Sequence, residues 1–129
     1  MDAKAHNTPL SAQECRQLLA GCDLGRVAWA TPDTVVVLPV SYVLVGERIA
    51  FRTAPGSLLS KLVEPQRVAF EIDDLDPETR TGWSVLVQGT SGPGEPAQGA
   101  LVQPWAPGDR PVTVLIEPLV YTGRAIAAG

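Results

Sequence analysis

From Leu24 onward the apolar residues recur chiefly at every second position, in short runs cut apart by Gly, Pro and Asp. A period of two is the side-chain repeat of a strand, and a chain patterned this way buries one face of a sheet. Residues 67–73 show it most plainly. Val68, Phe70 and Ile72 alternate there with Arg67, Glu71 and Asp73, which predicts a half-buried strand with one wet face. Further strands are expected over residues 24–30, 34–45, 48–53, 82–90, 112–116 and 120–124. Gly46-Glu47 is a hairpin signal, and residues 74–81 read as a polar turn. Pro39 has no N–H to give to a ladder, so it places its strand at an edge or a bulge.

Helical signals are few. Ser11-Ala-Gln-Glu14 reads as a capping box, and Cys15, Leu18 and Leu19 follow at helical spacing until Gly21 ends the element. Residues 58–63 allow one or two turns after Pro55-Gly56-Ser57. Five Gly and four Pro between Gly89 and Gly108 predict a loop without regular structure. A parallel sheet needs a crossover helix at each step, so the chain is expected to be mainly β: an antiparallel barrel of six or seven strands with an N-terminal helix and a short internal one. Its 129 residues make a single domain, with residues 1–10 as an N-terminal arm and residues 89–108 as a Gly/Pro-rich loop.

Composition narrows the function classes. Hydrophobic residues make up 45% and charged residues 19%, as in a globular protein. A formal charge of −4 argues against general nucleic-acid or anionic-membrane binding. No apolar run reaches the roughly 20 residues of a bilayer span. The polar N-terminus lacks a signal core, so the expected compartment is the cytoplasm. Cys15 and Cys22 would stand roughly 10 Å apart along a helix, beyond disulfide reach. His6 is the single histidine and supports no metal site. The acidic run Asp73-Asp74-Leu75-Asp76 lacks the ligand spacing of a calcium loop and reads as a solvated turn.

Three segments could carry chemistry. In Phe51-Arg52-Thr53-Ala54-Pro55-Gly56-Ser57 a strand delivers a guanidinium and a hydroxyl, and a Pro-Gly turn leads to a Ser at a helix start. Arg52, Thr53 and Ser57 could therefore hold a phosphate, helped by amides of the first turn. The plainer alternative is a wet Arg and a helix cap. Trp83 begins a strand and could lie against a planar ring, or could belong to the core or an interface. Trp105 sits in the rigid turn Pro104-Trp105-Ala106-Pro107-Gly108-Asp109-Arg110, where it could meet a ligand or cover the barrel end. No catalytic side chain is assigned, because no Ser-His-Asp or Cys-His set is present.

Seven segments in order carry a family resemblance: Leu24-Gly25-Arg26-Val27-Ala28, Leu38-Pro39-Val40-Ser41-Tyr42, Phe51 to Ser57, Val68-Ala69-Phe70-Glu71-Ile72-Asp73, Gly82-Trp83-Ser84-Val85-Leu86-Val87, Pro104 to Gly108 and Thr122-Gly123-Arg124. Together they resemble the pyridoxamine 5′-phosphate oxidase-like, FMN-binding split-barrel family over residues 10–126. The resemblance implies a six-stranded split barrel that forms a homodimer, with flavin held at the subunit interface. It implies FMN as cofactor and a flavin-dependent oxidoreductase as the function. Arg52, Thr53 and Ser57 would hold the phosphate, Val40, Ser41 and Tyr42 would line the flavin ring, and Trp83 and Trp105 would approach it. The chain departs from the pattern at Leu58, where the family commonly has lysine, and at Ser41, where it often has asparagine. Lys61, near one helical turn further on, could supply part of the missing charge. Two other readings stay open: a deazaflavin cofactor, and a barrel that has lost its flavin and serves as a binding or regulatory module.

Overall fold

A computed structural model describes residues 6–105 and 108–127. Residues 1–5 of the N-terminal arm, Ala106 and Pro107 of the Trp105 turn, and residues 128–129 lie outside the described residues. The expectation of a mainly β, antiparallel split barrel holds. The strands are β1 (His6–Pro9), β2 (Leu24–Ala30), β3 (Val35–Ser41), β4 (Val43–Val45), β5 (Arg48–Thr53), β6 (Arg67–Asp76), β7 (Thr81–Pro93) and β8 (Val112–Ala127). They form one sheet in the order β3-β2-β6-β7-β8-β5-β4, with β1 added to β8 and every pairing antiparallel.

The strand count exceeds six for identifiable reasons. Four residues of the N-terminal arm pair with the end of β8, Pro9 opposite Arg124 and His6 opposite Ala127. The long run over residues 34–45 is divided at Tyr42, not at Pro39. Before Tyr42 it pairs with β2, and after it with β5. Pro39 lies within the edge strand β3, where a missing N–H does no harm. The two runs expected near the C-terminus are one strand of 16 residues. Gln88 faces Val120 while Gly89 faces Pro118, so Leu119 is accommodated as a bulge and β8 continues past its proline. Gly89 permits this, because a Cβ there would fall 2.3 Å from the Glu117 carbonyl oxygen.

Two expected loops also contain regular structure. The polar turn is confined to the residues between Asp76 and Thr81, because β6 and β7 stay in register as far as that pair. In the Gly/Pro-rich stretch β7 runs on to Pro93, opposite Val114, and a helical turn α2 (Pro96–Gly99) follows. Proline suits a first helical turn, where its missing N–H would have no partner, and the Glu95 N–H is satisfied by Gln98 Oε1 at 2.7 Å.

The inward alternation is the one read from the sequence. Val27, Phe51, Phe70, Ile72, Val85, Val87, Val114 and Ile116 fill the core. The helix α1 (Ala12–Ala20) closes one side with Cys15 and Leu19. Its capping box forms in both directions, Glu14 N–H to Ser11 Oγ at 3.1 Å and Ser11 N–H to Glu14 Oε1 at 2.9 Å. Both cysteines are free thiols. No helix among the described residues is long and apolar enough to cross a membrane.

Tyr42 marks the change of strand partner. It is 2% exposed, meets Phe70 edge-on at 5.0 Å, and its hydroxyl donates to the Leu19 carbonyl at 2.6 Å. The Tyr42→Phe variant is expected to lose about 1 kcal/mol of stability, the net worth of one buried hydrogen bond, with the denaturant slope unchanged. Urea unfolding followed by Trp fluorescence measures it.

Candidate functional site

The sheet curls until β3 comes beside β5 without hydrogen-bonding to it. That opening is the split in the barrel, and a cleft of about 330 Å³ lies in it. Its walls are Leu24 from β2, Pro39, Val40 and Ser41 from β3, Arg52 from β5, Leu59, and Pro104, Trp105 and Arg110 from the segment before β8. Apart from Ser41 and the two arginines the lining is apolar, and no carboxylate is among these residues. The cleft thus combines an apolar wall with two guanidinium groups and one hydroxyl.

The segment expected to hold phosphate is built around Arg52. Its Nη2 donates to the carbonyl of Val102, and its aliphatic stem lies against Gly99, where a Cβ would come within 2.8 Å of Arg52 Cγ. Arg52 Nε is buried with no hydrogen-bond partner. Thr53 and Ser57 use their hydroxyls on each other and on the chain. Thr53 Oγ1 and Ser57 Oγ are 2.7 Å apart, Ser57 Oγ donates to the Ala54 carbonyl at 2.8 Å, and it accepts from the Ser60 N–H at 3.2 Å. Thr53 is 1% exposed. These two shape the turn into the short 3-10 helix over Leu59–Val63 and do not line the cleft.

Four of the nine residues singled out from the sequence therefore meet at the cleft: Val40, Ser41, Arg52 and Trp105. Tyr42 points into the core, because strand alternation sends it opposite to Ser41. Trp83 is half-buried on the inward face of β7, with Asp74 and Ala125 across the ladders, away from the cleft. Lys61 is exposed and outside the lining. The residue that sequence reasoning passed over is Arg110. It follows the Trp105 turn directly, and its Nε is also buried without a partner. A cation adjoining a conspicuous aromatic turn was the available signal.

Beside the cleft, past Leu24 and Pro39, β2 and β6 separate and leave a smaller notch bounded by Arg26 and Asp73. Arg26 Nη1 bridges Glu71 Oε1 at 2.8 Å and Asp73 Oδ2 at 3.0 Å. Burial, and then the neighbouring Asp73, push the Glu71 carboxyl up to about 7. Asp73 is held below its ordinary value, chiefly by its hydrogen bond with Glu71.

A curled antiparallel sheet, split at one edge with a cleft in the split, defines the split-barrel class. The profile of the family described as pyridoxamine 5′-phosphate oxidase matches residues 11–122, and the chain belongs to that family. An uncharacterized protein of Mycobacterium tuberculosis is 36% identical, the match covering 92% of this chain and 85% of that one. The structure of an FAD-binding protein from Mycobacterium smegmatis is 32% identical, covers 93% of this chain and 98% of its own, and superposes with a TM-score of 0.73. An FAD-binding protein from Mesorhizobium loti shares the fold at 22% identity and a TM-score of 0.78, over 96% of this chain and 99% of its own.

The raised Glu71 carboxyl has a definite sign in stability. The folded chain binds this proton more tightly than the unfolded chain, so the contribution is full below about 4.5 and fades as pH rises through about 7. The lowered Asp73 acts oppositely, and its contribution is lost only as pH falls through the acid range. Between pH 5 and pH 8 the Glu71→Gln variant is expected to gain stability relative to the parent chain. Urea midpoints of both proteins across that interval measure it, and a difference independent of pH would contradict it.

Proposed function

We propose that the chain is a flavin-binding protein that holds its cofactor in the split between β3 and β5. The observation that carries this is that two guanidinium side chains, Arg52 and Arg110, line a cleft otherwise walled by Leu24, Pro39, Val40, Ser41, Leu59, Pro104 and Trp105, with no carboxylate among them. Two cations with no carboxylate beside them favour an anionic ligand, which guanidinium groups bind bidentately. The donors present therefore suit a planar ring attached to phosphate. Arg52 would hold phosphate, Val40 and Ser41 would face the ring, and Trp105, 76% exposed at the mouth, would cover it. The 32% identical Mycobacterium smegmatis protein, described as FAD-binding, supports a flavin. FMN, the cofactor read from the sequence, shares the same ring and first phosphate.

A bound flavin supplies hydride and electron transfer, and on that basis the proposed activity is that of an oxidoreductase. The chain's own residues orient the ring and keep water from its buried face. A reading as a binding module without flavin is favoured by one observation: Leu58, 49% exposed, brings no charge to the 3-10 turn. The free thiols suit the cytoplasm, where cysteines stay reduced.

The proposed assembly is a homodimer. On the outer face of the sheet Val35 and Val37 expose 70% and 57% of their surfaces, and Leu86 and Val120 add to the apolar area. An uncovered sheet face of this kind suits a second copy.

The visible spectrum of the purified protein, with titrations of FMN, FAD and a deazaflavin, tests the cofactor. Saturable binding of a flavin is expected, weakened by Arg52→Ala about 10- to 100-fold, the worth of one charge-assisted hydrogen-bond pair. A folded protein that takes up none of the three would establish the module reading instead. For assembly, light scattering is expected to give twice the chain mass, falling to a single chain in Val37→Arg.

A further inference from the structure

On its outer face the sheet is nearly alike on the two sides of β6, the middle one of the five strands β3-β2-β6-β7-β8. Val37, Ala28, Ala69, Gln88 and Val120 form one cross-strand row, and Pro39, Arg26, Glu71, Leu86 and Thr122 form the next. In the first row an exposed valine stands two strands out from Ala69 on each side, Val37 and Val120. A two-fold interface uses the same patch on both copies, so a patch that repeats itself about its midline fits its own copy. A two-fold axis between the faces and parallel to β6 lays Val37 on Val120 of the partner subunit. In the next row the same axis lays Glu71 on the partner subunit's Glu71.

The charges around Glu71 do not cancel. Arg26 Nη1 from β2 serves both Glu71 and Asp73, so one guanidinium stands against two carboxylates. On the outer face β3 and β7 bring no charge, since their residues there are Val35, Val37, Pro39 and Ser41, and Ser84, Leu86 and Gln88. On β8, Arg124 lies across Ser84 from Asp73, two strands from the axis. Arg67 lies four residues along β6, in line with Glu117, which Arg48 already holds.

We propose that assembly over this face is proton-linked: the dimer is tightest when Glu71 carries a proton and loosens as both copies of Glu71 ionise. The proposal rests on the homodimer reading above. Sheets that pack face to face lie roughly 10 Å apart, so carboxylates aimed at each other across the axis come close together. Two carboxylates sharing a site do not both ionise freely, and one keeps its proton. The side chain of Glu71 is 32% exposed in the single chain, and a second copy removes that water. Burial and Asp73 already push this carboxyl up to about 7, and the partner acts in the same direction. The dimer therefore holds the proton more tightly than the separate chains do. Association is strongest below that range and weakens as pH rises through it.

Sedimentation of the full chain over a range of concentrations, from pH 6 to pH 8.5, reads the dimer dissociation constant. It is expected to rise about tenfold or more, the worth of one proton held one pK unit more tightly. Glu71→Gln is expected to keep the tight constant throughout, and Glu78→Gln, in the β6–β7 turn, to follow the parent chain. Glu71→Ala replaces the glutamine variant if circular dichroism shows that protein unfolded. A dimer whose constant is flat with pH, or falls as pH rises, overturns the linkage and leaves the homodimer standing. A dependence that survives in the Glu71 variant does the same. A dimer that Val37→Arg leaves intact overturns the linkage by showing that another face assembles. Single chains at every pH and concentration defeat the homodimer itself.

Discussion

The ladder that β8 makes along both of its edges holds the molecule together. One edge pairs with β7 from Gly82 to Pro93, and the other is divided between β5 and β1. A strand of 16 residues cannot serve three partners and stay flat. The bulge at Leu119 increases the local twist, and the twist curls the sheet until its two ends approach. Hydrogen bonds in this ladder set the register, but their net energy is modest. Most of the stabilisation comes from the apolar side chains that the curl encloses, among them Phe51, Phe70, Ile72 and Ile116.

The cleft follows from the incompleteness of that closure. The chain passes from β3 to β4 through Tyr42, whose anchorage to α1 lets the same continuous segment pair with β2 first and β5 afterwards. Because the change of partner occurs in one residue, the parts of β3 and β5 on the near side are left adjacent and unpaired. The gap is bordered by the segment carrying Pro104, Trp105 and Arg110. The Nε atoms of Arg52 and Arg110 are buried without a hydrogen-bond partner among the described residues.

The fold was more legible than the site. Alternation along β6 and β7, the Ser11–Glu14 cap and the edge position of Pro39 could be read from single residues, because each reflects a local rule. What misled was local as well. Proline and glycine between Gly89 and Gly108 argued for a loop, yet Pro93 tolerates a strand end and Pro96 a first helical turn. At the site, Arg52 and Trp105 were recognisable by residue type and neighbours. Thr53 and Ser57 have the right chemistry for phosphate, but their hydroxyls are spent on each other. Tyr42 and Ser41 are adjacent in sequence and point to opposite faces, so only one of them reaches the cleft.

The sequence by itself determined the sheet, its inward face, the helix that closes it and the family to which the chain belongs, since these depend on periodicity and on motifs a few residues long. Only the tertiary structure decided which cations share a cleft. Arg52 and Arg110 are far apart along the chain, and what brings them together is the β5–β8 pairing, which sets Arg52 opposite Thr113 and Thr53 opposite Val112, two residues from Arg110. A side chain's burial and its lack of a partner are properties of the whole packing, which no local pattern encodes.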